Sequence, residues 1–217
     1  MAVDGQNIPA KCLNCQAALT SPLVCDGCHS LNPPPPGIDY FTLLGLPRTY
    51  LIDEKKLHCS FLAIARGIHP DRFVGASDQD RSLATRLSAE LNQACDVLSD
   101  PVRRADYLLE LAGGPSAAEV REVPDGFLAE VMTLREEIDQ AKTAGNNDAL
   151  LGHRESITDR GEQTLRQIAD LAESSADLDE PNRKDLRRLL NSMKYYDNLL
   201  LELVENPLGS EHRAQAR

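Results

Sequence analysis

The sequence predicts an all-α protein, on three observations. Leu and Ala carry the apolar share, while aromatics make up 4% and Trp is absent, a composition that favours Leu-rich helical cores. Apolar residues recur every three or four positions over most of the chain and almost nowhere alternate. Proline and glycine gather at a few breaks instead of punctuating short strands. The expected architecture is a small N-terminal cysteine module, an antiparallel helix hairpin with short bracing helices, and a C-terminal three-helix bundle.

The cysteine module comes first. Four of the six cysteines lie in the first 28 residues, as Cys12-Leu-Asn-Cys15 and Cys25-Asp-Gly-Cys28 with nine residues between the pairs. A two-residue gap lets a tight knuckle aim both sulfurs at one ion, and two knuckles complete a tetrahedron. Gly27 and Asn14 suit the unusual backbone angles such knuckles need. Four thiolates select a structural zinc ion or an iron-sulfur centre, and a closed set leaves no open catalytic position. Two disulfides or a redox pair are the alternatives, and a reducing cytoplasm disfavours the first. Zinc at Cys12, Cys15, Cys25 and Cys28 is the expectation, with His29 a solvated surface residue. Cys59 and Cys95 sit in helical patterns and are expected to be small buried or half-buried side chains.

Four consecutive prolines within 33–37 cannot join a helix, so they read as a stiff spacer between the module and the rest of the chain. Asp39–Leu44 makes a short helical turn. Asp53 then caps a helix whose apolar positions are Leu57, Phe61, Ile64 and Ile68. A loop through His69-Pro70-Asp71 leads into a second helix with Leu83, Leu87, Leu91, Ala94 and Leu98 on one stripe. Pro101 starts a further short helix. Glycines and prolines at both ends of 113–123 mark a linker.

The last region carries three stripes: Phe127, Val131, Leu134, Ile138 and Ala141; Leu150, Ile157, Leu165, Ile168 and Leu171; and Leu186, Leu190, Met193, Leu200 and Val204. On this wheel Leu128, Met132, Tyr195 and Leu199 fall beside the core stripes, where apolar side chains can form an exposed patch. The expected division is 1–32 metal module, 33–37 spacer, 38–112 helix hairpin domain, 113–123 linker, 124–206 bundle and 207–217 tail.

The net charge of −11 argues against a protein that coats nucleic acid. A zinc-ribbon adaptor for nucleic acid is disfavoured further because residues 1–37 hold one Lys and no Arg. No apolar run is long enough to span a bilayer. The first thirty residues show neither a signal core nor an Arg-rich amphipathic stretch, so a cytoplasmic protein is expected, or a mitochondrial matrix protein if the source is eukaryotic.

The surroundings of His69-Pro70-Asp71 carry a resemblance. Upstream stands Asp39-Tyr40-Phe41-Thr42-Leu43-Leu44-Gly45-Leu46-Pro47. Downstream stand Leu91-Asn92-Gln93-Ala94, Val97-Leu98-Ser99-Asp100-Pro101 and Arg103-Arg104-Ala105-Asp106-Tyr107-Leu108-Leu109. Together they resemble a J domain, the module that stimulates ATP hydrolysis by DnaK-type chaperones. The Tyr-Phe-Thr-Leu-Leu-Gly-Leu start and the Arg-Ala-Asp-Tyr-Leu-Leu segment are similar to the HscB type, the J-proteins of iron-sulfur cluster assembly. Phe127-Leu128, Leu134-Arg135-Glu136-Glu137-Ile138-Asp139 and Lys194-Tyr195-Tyr196-Asp197-Asn198-Leu199 extend the likeness into the bundle. The cysteine module resembles an extension found on some members.

The resemblance implies a co-chaperone that is not itself an enzyme. It implies a DnaK/HscA-type chaperone ATPase and an IscU-type iron-sulfur scaffold protein as partners, with neither nucleic acid nor membrane. The chaperone face would comprise His69, Pro70 and Asp71 with Lys55, Lys56, Arg66 and Arg72. The scaffold face would comprise Leu128, Met132, Glu136 and Tyr195. Ala129 and Thr133 are smaller or less charged than that family tends to use. A general J-protein for unfolded clients, one for another dedicated client, and a C-x-x-C redox enzyme are the competing readings. The first of these would carry a Gly/Phe-rich stretch, which this chain lacks.

Overall fold

The computed structural model describes residues 11–19, 21, 23–173 and 179–204. The tail at 207–217 lies outside them. Two compact units divide within one helix, between Arg104 and Ala105. Helices dominate the described residues, and the sole β features among them are two isolated bridges, Lys11 with Ala18 and Val24 with Leu31.

In the first unit each knuckle closes the same way. Gln16 N–H donates to the Cys12 carbonyl (3.0 Å) and Cys12 N–H to that of Ala17 (2.8 Å); His29 N–H donates to Cys25 (2.8 Å) and Cys25 N–H to Ser30 (3.0 Å). The residue after the second cysteine of each pair is left-handed, Gln16 at φ 62° and His29 at φ 59°. The unusual backbone angle therefore falls there and not on Asn14 or Gly27. The chain must reverse after the second sulfur has been placed, which is where the sterically demanding conformation arises. Val24 packs on α2 (Glu54–Ile68): a Cβ added at Gly67 would come within 2.7 Å of Val24 Cγ1. The proline segment thus leaves the module seated against the helix hairpin instead of held apart from it.

Local chemistry fixes the hairpin. Asp39 caps α1 (Tyr40–Leu43), accepting from Thr42 N–H at 2.9 Å. The Arg48 guanidinium meets the same carboxylate at 2.7 Å. Asp53 caps α2 through the N–H groups of Lys55 and Lys56, and Ser77 caps α3 (Asp78–Ser99) through Asp80 N–H at 3.1 Å. These caps satisfy N–H donors that no helical turn can reach. Leu57, Ile64 and Ile68 of α2 are buried, as are Leu87, Leu91, Ala94 and Leu98 of α3 and Phe41, Leu43 and Leu44 around α1. Phe61 and Leu83 are only half-buried. Pro101 opens α4 (Pro101–Leu111), Asp100 accepts from Arg103 N–H at 2.8 Å, and buried Arg104 lies over the Tyr50 ring at 5.0 Å while donating to the Leu98 carbonyl. Cys59 is exposed on α2, contrary to the sequence expectation, because it falls on the solvent side opposite the buried Leu57–Ile64–Ile68 stripe; Cys95 is half-buried.

The second unit is a three-helix bundle of α5 (Phe127–Thr143), α6 (Asn147–Glu173) and α7 (Glu180–Val204). Glu130 pairs with Arg160, and His153 Nδ1 lies 3.8 Å from a Glu137 carboxylate oxygen, so α5 and α6 are antiparallel. Phe127 packs edge-on against Tyr195 and Tyr196, and Lys142 donates to the Glu202 carbonyl at 2.8 Å, so α5 and α7 run the same way. The α5 stripe is buried throughout. In α6, Leu150, Leu165 and Leu171 are only half-buried, whereas Gly161, Thr164 and Ala172 join Ile157 and Ile168 inside.

The α7 expectation needs correction. Leu199 is fully buried, whereas Leu200 is half-buried and Val204 is 57% exposed. From Leu190 onward the buried apolar positions fall every third residue, at 190, 193, 196 and 199. Each such step turns about 60° back around a helix of 3.6 residues per turn, so the buried stripe winds, as it must on a helix that crosses its neighbours at an angle.

The linker is ordered. Arg183, Arg187 and Asn191, four residues apart on one face of α7, hold its carbonyls in sequence. Arg183 donates to Ala112 (3.1 Å), Arg187 Nε to Pro115 (2.8 Å), and Asn191 Nδ2 to Val120 and Glu122 (2.9 Å each). Arg187, with its side chain 4% exposed, also pairs with Asp106.

Candidate functional site

Three surfaces bear the candidate residues. At the first, the Sγ atoms of Cys12, Cys15, Cys25 and Cys28 all lie within 4.8 Å of one another. Cys12–Cys28 and Cys15–Cys25 are each 3.6 Å apart. A tetrahedral ion with metal–sulfur bonds of about 2.3 Å needs sulfurs about 3.8 Å apart, so the donor set fits such an ion.

The surroundings favour thiolate at two of the four, Cys12 and Cys28. Asn14 N–H points at Cys12 Sγ (3.3 Å), Asn14 Nδ2 lies 3.7 Å from Cys28 Sγ, and Ser30 Oγ lies 3.2 Å from it. Hydrogen bonds from the Ser30 hydroxyl and then its N–H pull the Cys28 thiol down to about 6. Cys12 is lowered, first by the Cys15 N–H. Cys15 receives help from the Ala17 N–H, but Cys28, Cys25 and burial overrule it and push it up to about 12. The four thiols cannot all ionise side by side without a cation to share their charge. Buried Asn32 braces both knuckles: its Oδ1 accepts from Leu13 N–H (3.0 Å), and its Nδ2 donates to the Ser30 carbonyl (3.0 Å) and faces Cys12 Sγ (3.9 Å). Ser30 and Asn32 are supporting residues that the cysteine spacing alone does not reveal; a polar residue two and four positions past the last cysteine is the only trace. His29 is exposed and stands outside the sulfur cluster.

The second surface is the corner between α2 and α3. His69 ends α2 in an extended conformation (φ −58°, ψ 129°), and Pro70–Phe73 forms a single 3-10 turn. Pro70 forbids the α conformation at the residue before it, so the helix must stop at His69. Asp71 N–H donates to His69 Nδ1 at 3.3 Å, and an Asp71 carboxylate oxygen stands 3.6 Å from the same nitrogen. Both side chains face solvent, 58% and 86% exposed. Arg72 donates to the Arg66 carbonyl at 3.1 Å, which ties the turn to the last turn of α2. Lys55, Lys56, Arg66 and Arg72 are all exposed.

The third surface is on the bundle. Leu128, Met132 and Glu136, spaced four apart on α5, are exposed, the first two at 51% and 64%. Leaving two large apolar side chains this open on one ridge is what a partner surface requires. Tyr195 is half-buried, its ring edge-on to Phe127 with centroids 5.6 Å apart, beside the start of the ridge. Thr133 turns its hydroxyl back to the Ala129 carbonyl at 3.1 Å.

Comparison with known proteins bears on the two helical regions. The DnaJ domain model matches residues 39–107, and the model described as the HSCB C-terminal oligomerisation domain matches 123–204. A curated relative, the co-chaperone protein HscB of Proteus mirabilis (strain HI4320), is 40% identical over 115 residues, which is 52% of this chain and 66% of that protein. The co-chaperone protein HscB homolog of Vibrio atlanticus (strain LGP32) is 35% identical over 173 residues, 79% of this chain and 99% of the relative. Among solved structures, the chaperone HscB from Vibrio cholerae superposes with a TM-score of 0.64 at 31% identity, covering 77% of this chain and 96% of that one. The crystal structure of human co-chaperone protein HscB gives 0.73 at 23% identity over 91% of this chain and all of the other, a likeness of fold.

Proposed function

Because the chain belongs to the HscB family of J-domain co-chaperones, we propose that it delivers an IscU-type iron-sulfur scaffold protein to a DnaK/HscA-type chaperone and stimulates that chaperone's ATP hydrolysis. The observation that carries the reading is the exposed His69-Pro70-Asp71 corner on its own tight turn. Pro70 narrows the conformations of the corner before any partner arrives, so little ordering cost falls on binding. The Asp71 carboxylate can take a charge-assisted hydrogen bond from a partner arginine, and His69 can donate or accept. Arg66 and Arg72 add positive charge beside the corner, and Lys55 and Lys56 add it in the first turn of α2, at the helix's far end; on an otherwise acidic chain this speeds encounter with an acidic partner surface.

The co-chaperone reacts with nothing itself. It binds one state of the ATPase better than the other, and the nucleotide chemistry stays with the partner. The ridge of Leu128, Met132 and Glu136, with Tyr195 beside it, is the proposed scaffold-binding surface, formed by the bundle over 124–206. Holding the scaffold and the chaperone on one chain raises the concentration of one at the other. The four cysteines would hold a zinc ion as a structural closure, supplying the folding free energy that a segment this small cannot obtain from a core. No helix among the described residues is long and apolar enough to cross a membrane, and the proposed setting is the cytoplasm or, for a eukaryotic source, the mitochondrial matrix.

A steady-state ATPase assay with purified chaperone tests the reading. Wild-type protein should stimulate hydrolysis, and His69→Gln, at an exposed position, should abolish stimulation with the fold intact. Full stimulation by the variant refutes it. In calorimetry, Leu128→Ala with Met132→Ala should weaken scaffold binding while stimulation by the co-chaperone alone is retained; unchanged affinity removes the ridge from the site.

A further inference from the structure

We propose that the cysteine module forms part of the chaperone-docking surface: the cleft between the module and α2 takes an acidic, apolar-bearing segment of the ATPase partner. This rests on the function proposed above. The cleft measures about 470 Å³ and lies wholly within the first unit. Val24 from the module, Leu44 from the end of α1 and Ile64 from α2 give it apolar walls. His29 from the module also lines it, with Arg66 from α2 and Arg72 from the turn that follows. Gly67 lines it too, at the point where Val24 rests on α2.

Charge decides the occupant. The chain carries a net charge of −11, yet two guanidiniums and one carboxylate, that of Asp26, line this cleft. Among the described residues neither Arg66 nor Arg72 forms an ion pair with a carboxylate, and the Arg72 guanidinium donates to the Arg66 carbonyl. Ser21 Oγ, shut away from solvent at the same cleft, has no hydrogen-bond partner among the described residues. Two cations without a carboxylate partner beside apolar walls suit a ligand with both acidic and apolar groups. Arg66 and Arg72 stand three residues before and after His69. A segment lying in the cleft therefore runs up to the corner, which places it on the protein that the corner engages.

The test is a titration of the purified chaperone's ATPase with full-length protein, read as the concentration giving half-maximal stimulation and as the saturating rate. His29→Asp keeps a residue that tolerates left-handed backbone, and Ser21→Asp is a second probe on the module. Ala63→Glu places the same charge on the α2 wall, and Ala63→Lys reverses it. The three acidic variants should each raise the half-maximal concentration roughly five- to tenfold at low salt, with the saturating rate unchanged, and Ala63→Lys should lower it; raised salt should shrink every difference. Metal content identifies any module variant that fails to fold, in which case the other is read. Half-maximal concentrations equal to wild type overturn the proposal, and so does an effect confined to Ala63 with both module variants silent. Failure of the wild type to stimulate at all, or full stimulation by His69→Gln, would instead strike the function proposed above.

Discussion

Replacing Arg187 by Met should loosen the linker from α7 and destabilise the second unit. The side chain is 4% exposed, and its guanidinium makes two contacts at once, a 2.8 Å hydrogen bond from Nε to the Pro115 carbonyl and the ion pair with Asp106. A hydrogen bond from a charged donor to a shielded acceptor is worth about 1.5–3 kcal/mol. The Asp106 carboxylate is 51% exposed, so its pairing is screened and adds about 0.2–1 kcal/mol. Met retains the apolar stem that the arginine buries, so little packing is lost, and the expected cost is about 2–4 kcal/mol. For a unit of this size that lowers the melting temperature by roughly 8–16 °C. Calorimetry measures the shift, and limited proteolysis within 113–123 measures release of the strap: cleavage should speed up in the variant well below its melting temperature. A loss under about 0.5 kcal/mol, with the linker as resistant as in wild type, would refute the view that this arginine holds the strap.

Three further outcomes rest on particular contacts. Gly161 sits buried in the middle of α6, yet a Cβ there would meet nothing within 4 Å; Gly161→Ala should therefore stabilise the bundle by about 1 kcal/mol in urea unfolding, and a destabilised variant would show that the space is not available. Burial would raise the Asp39 carboxyl, but the Thr42 N–H, Arg48 and the Thr42 hydroxyl outweigh it and hold the group below its usual range. A carboxyl depressed on folding stabilises above its unfolded pKa and loses that contribution as pH falls through the folded one. Below about pH 4 the first unit should thus weaken, and Asp39→Asn should flatten that part of the pH–stability curve; an unchanged slope contradicts it. Chelating the metal should expose Cys12, Cys15, Cys25 and Cys28 to a thiol reagent that reaches only the exposed Cys59 quickly in loaded protein; rapid labelling of all four with metal present would point back to a redox role.

Much of the fold was legible because it rests on local rules. Asp53 and Pro101 announce helix starts, Pro70 announces a stop, and the α5 stripe from Phe127 to Ala141 lies inside residue for residue. The paired cysteines converge as their spacing requires. What escaped has a common physical origin. A count of apolar stripes sees only greasy residues on a straight wheel, so it misses the buried Arg187 and Asn191, whose partners are backbone carbonyls 69 to 72 positions away. The same count misplaces Leu199, because the buried side of α7 winds as the helix crosses its neighbours. Composition marks 113–123 as a linker, yet carries no sign that three side chains of a distant helix fasten it. Nor does a run of prolines disclose that the module beyond it will come to rest on Gly67.

That last contact turns a single position into a record readable from other sequences. With Val24 Cγ1 2.7 Å from where a methyl group would stand, the helix and the module share a seat in which any larger residue pushes the valine side chain aside. Related chains that carry the four cysteines and a β-branched residue at the place of Val24 should favour glycine at position 67, whereas chains without the cysteines are at liberty to fill it. The residue at that place thereby tells, before any coordinates are in hand, whether an appended metal knuckle is docked or merely attached.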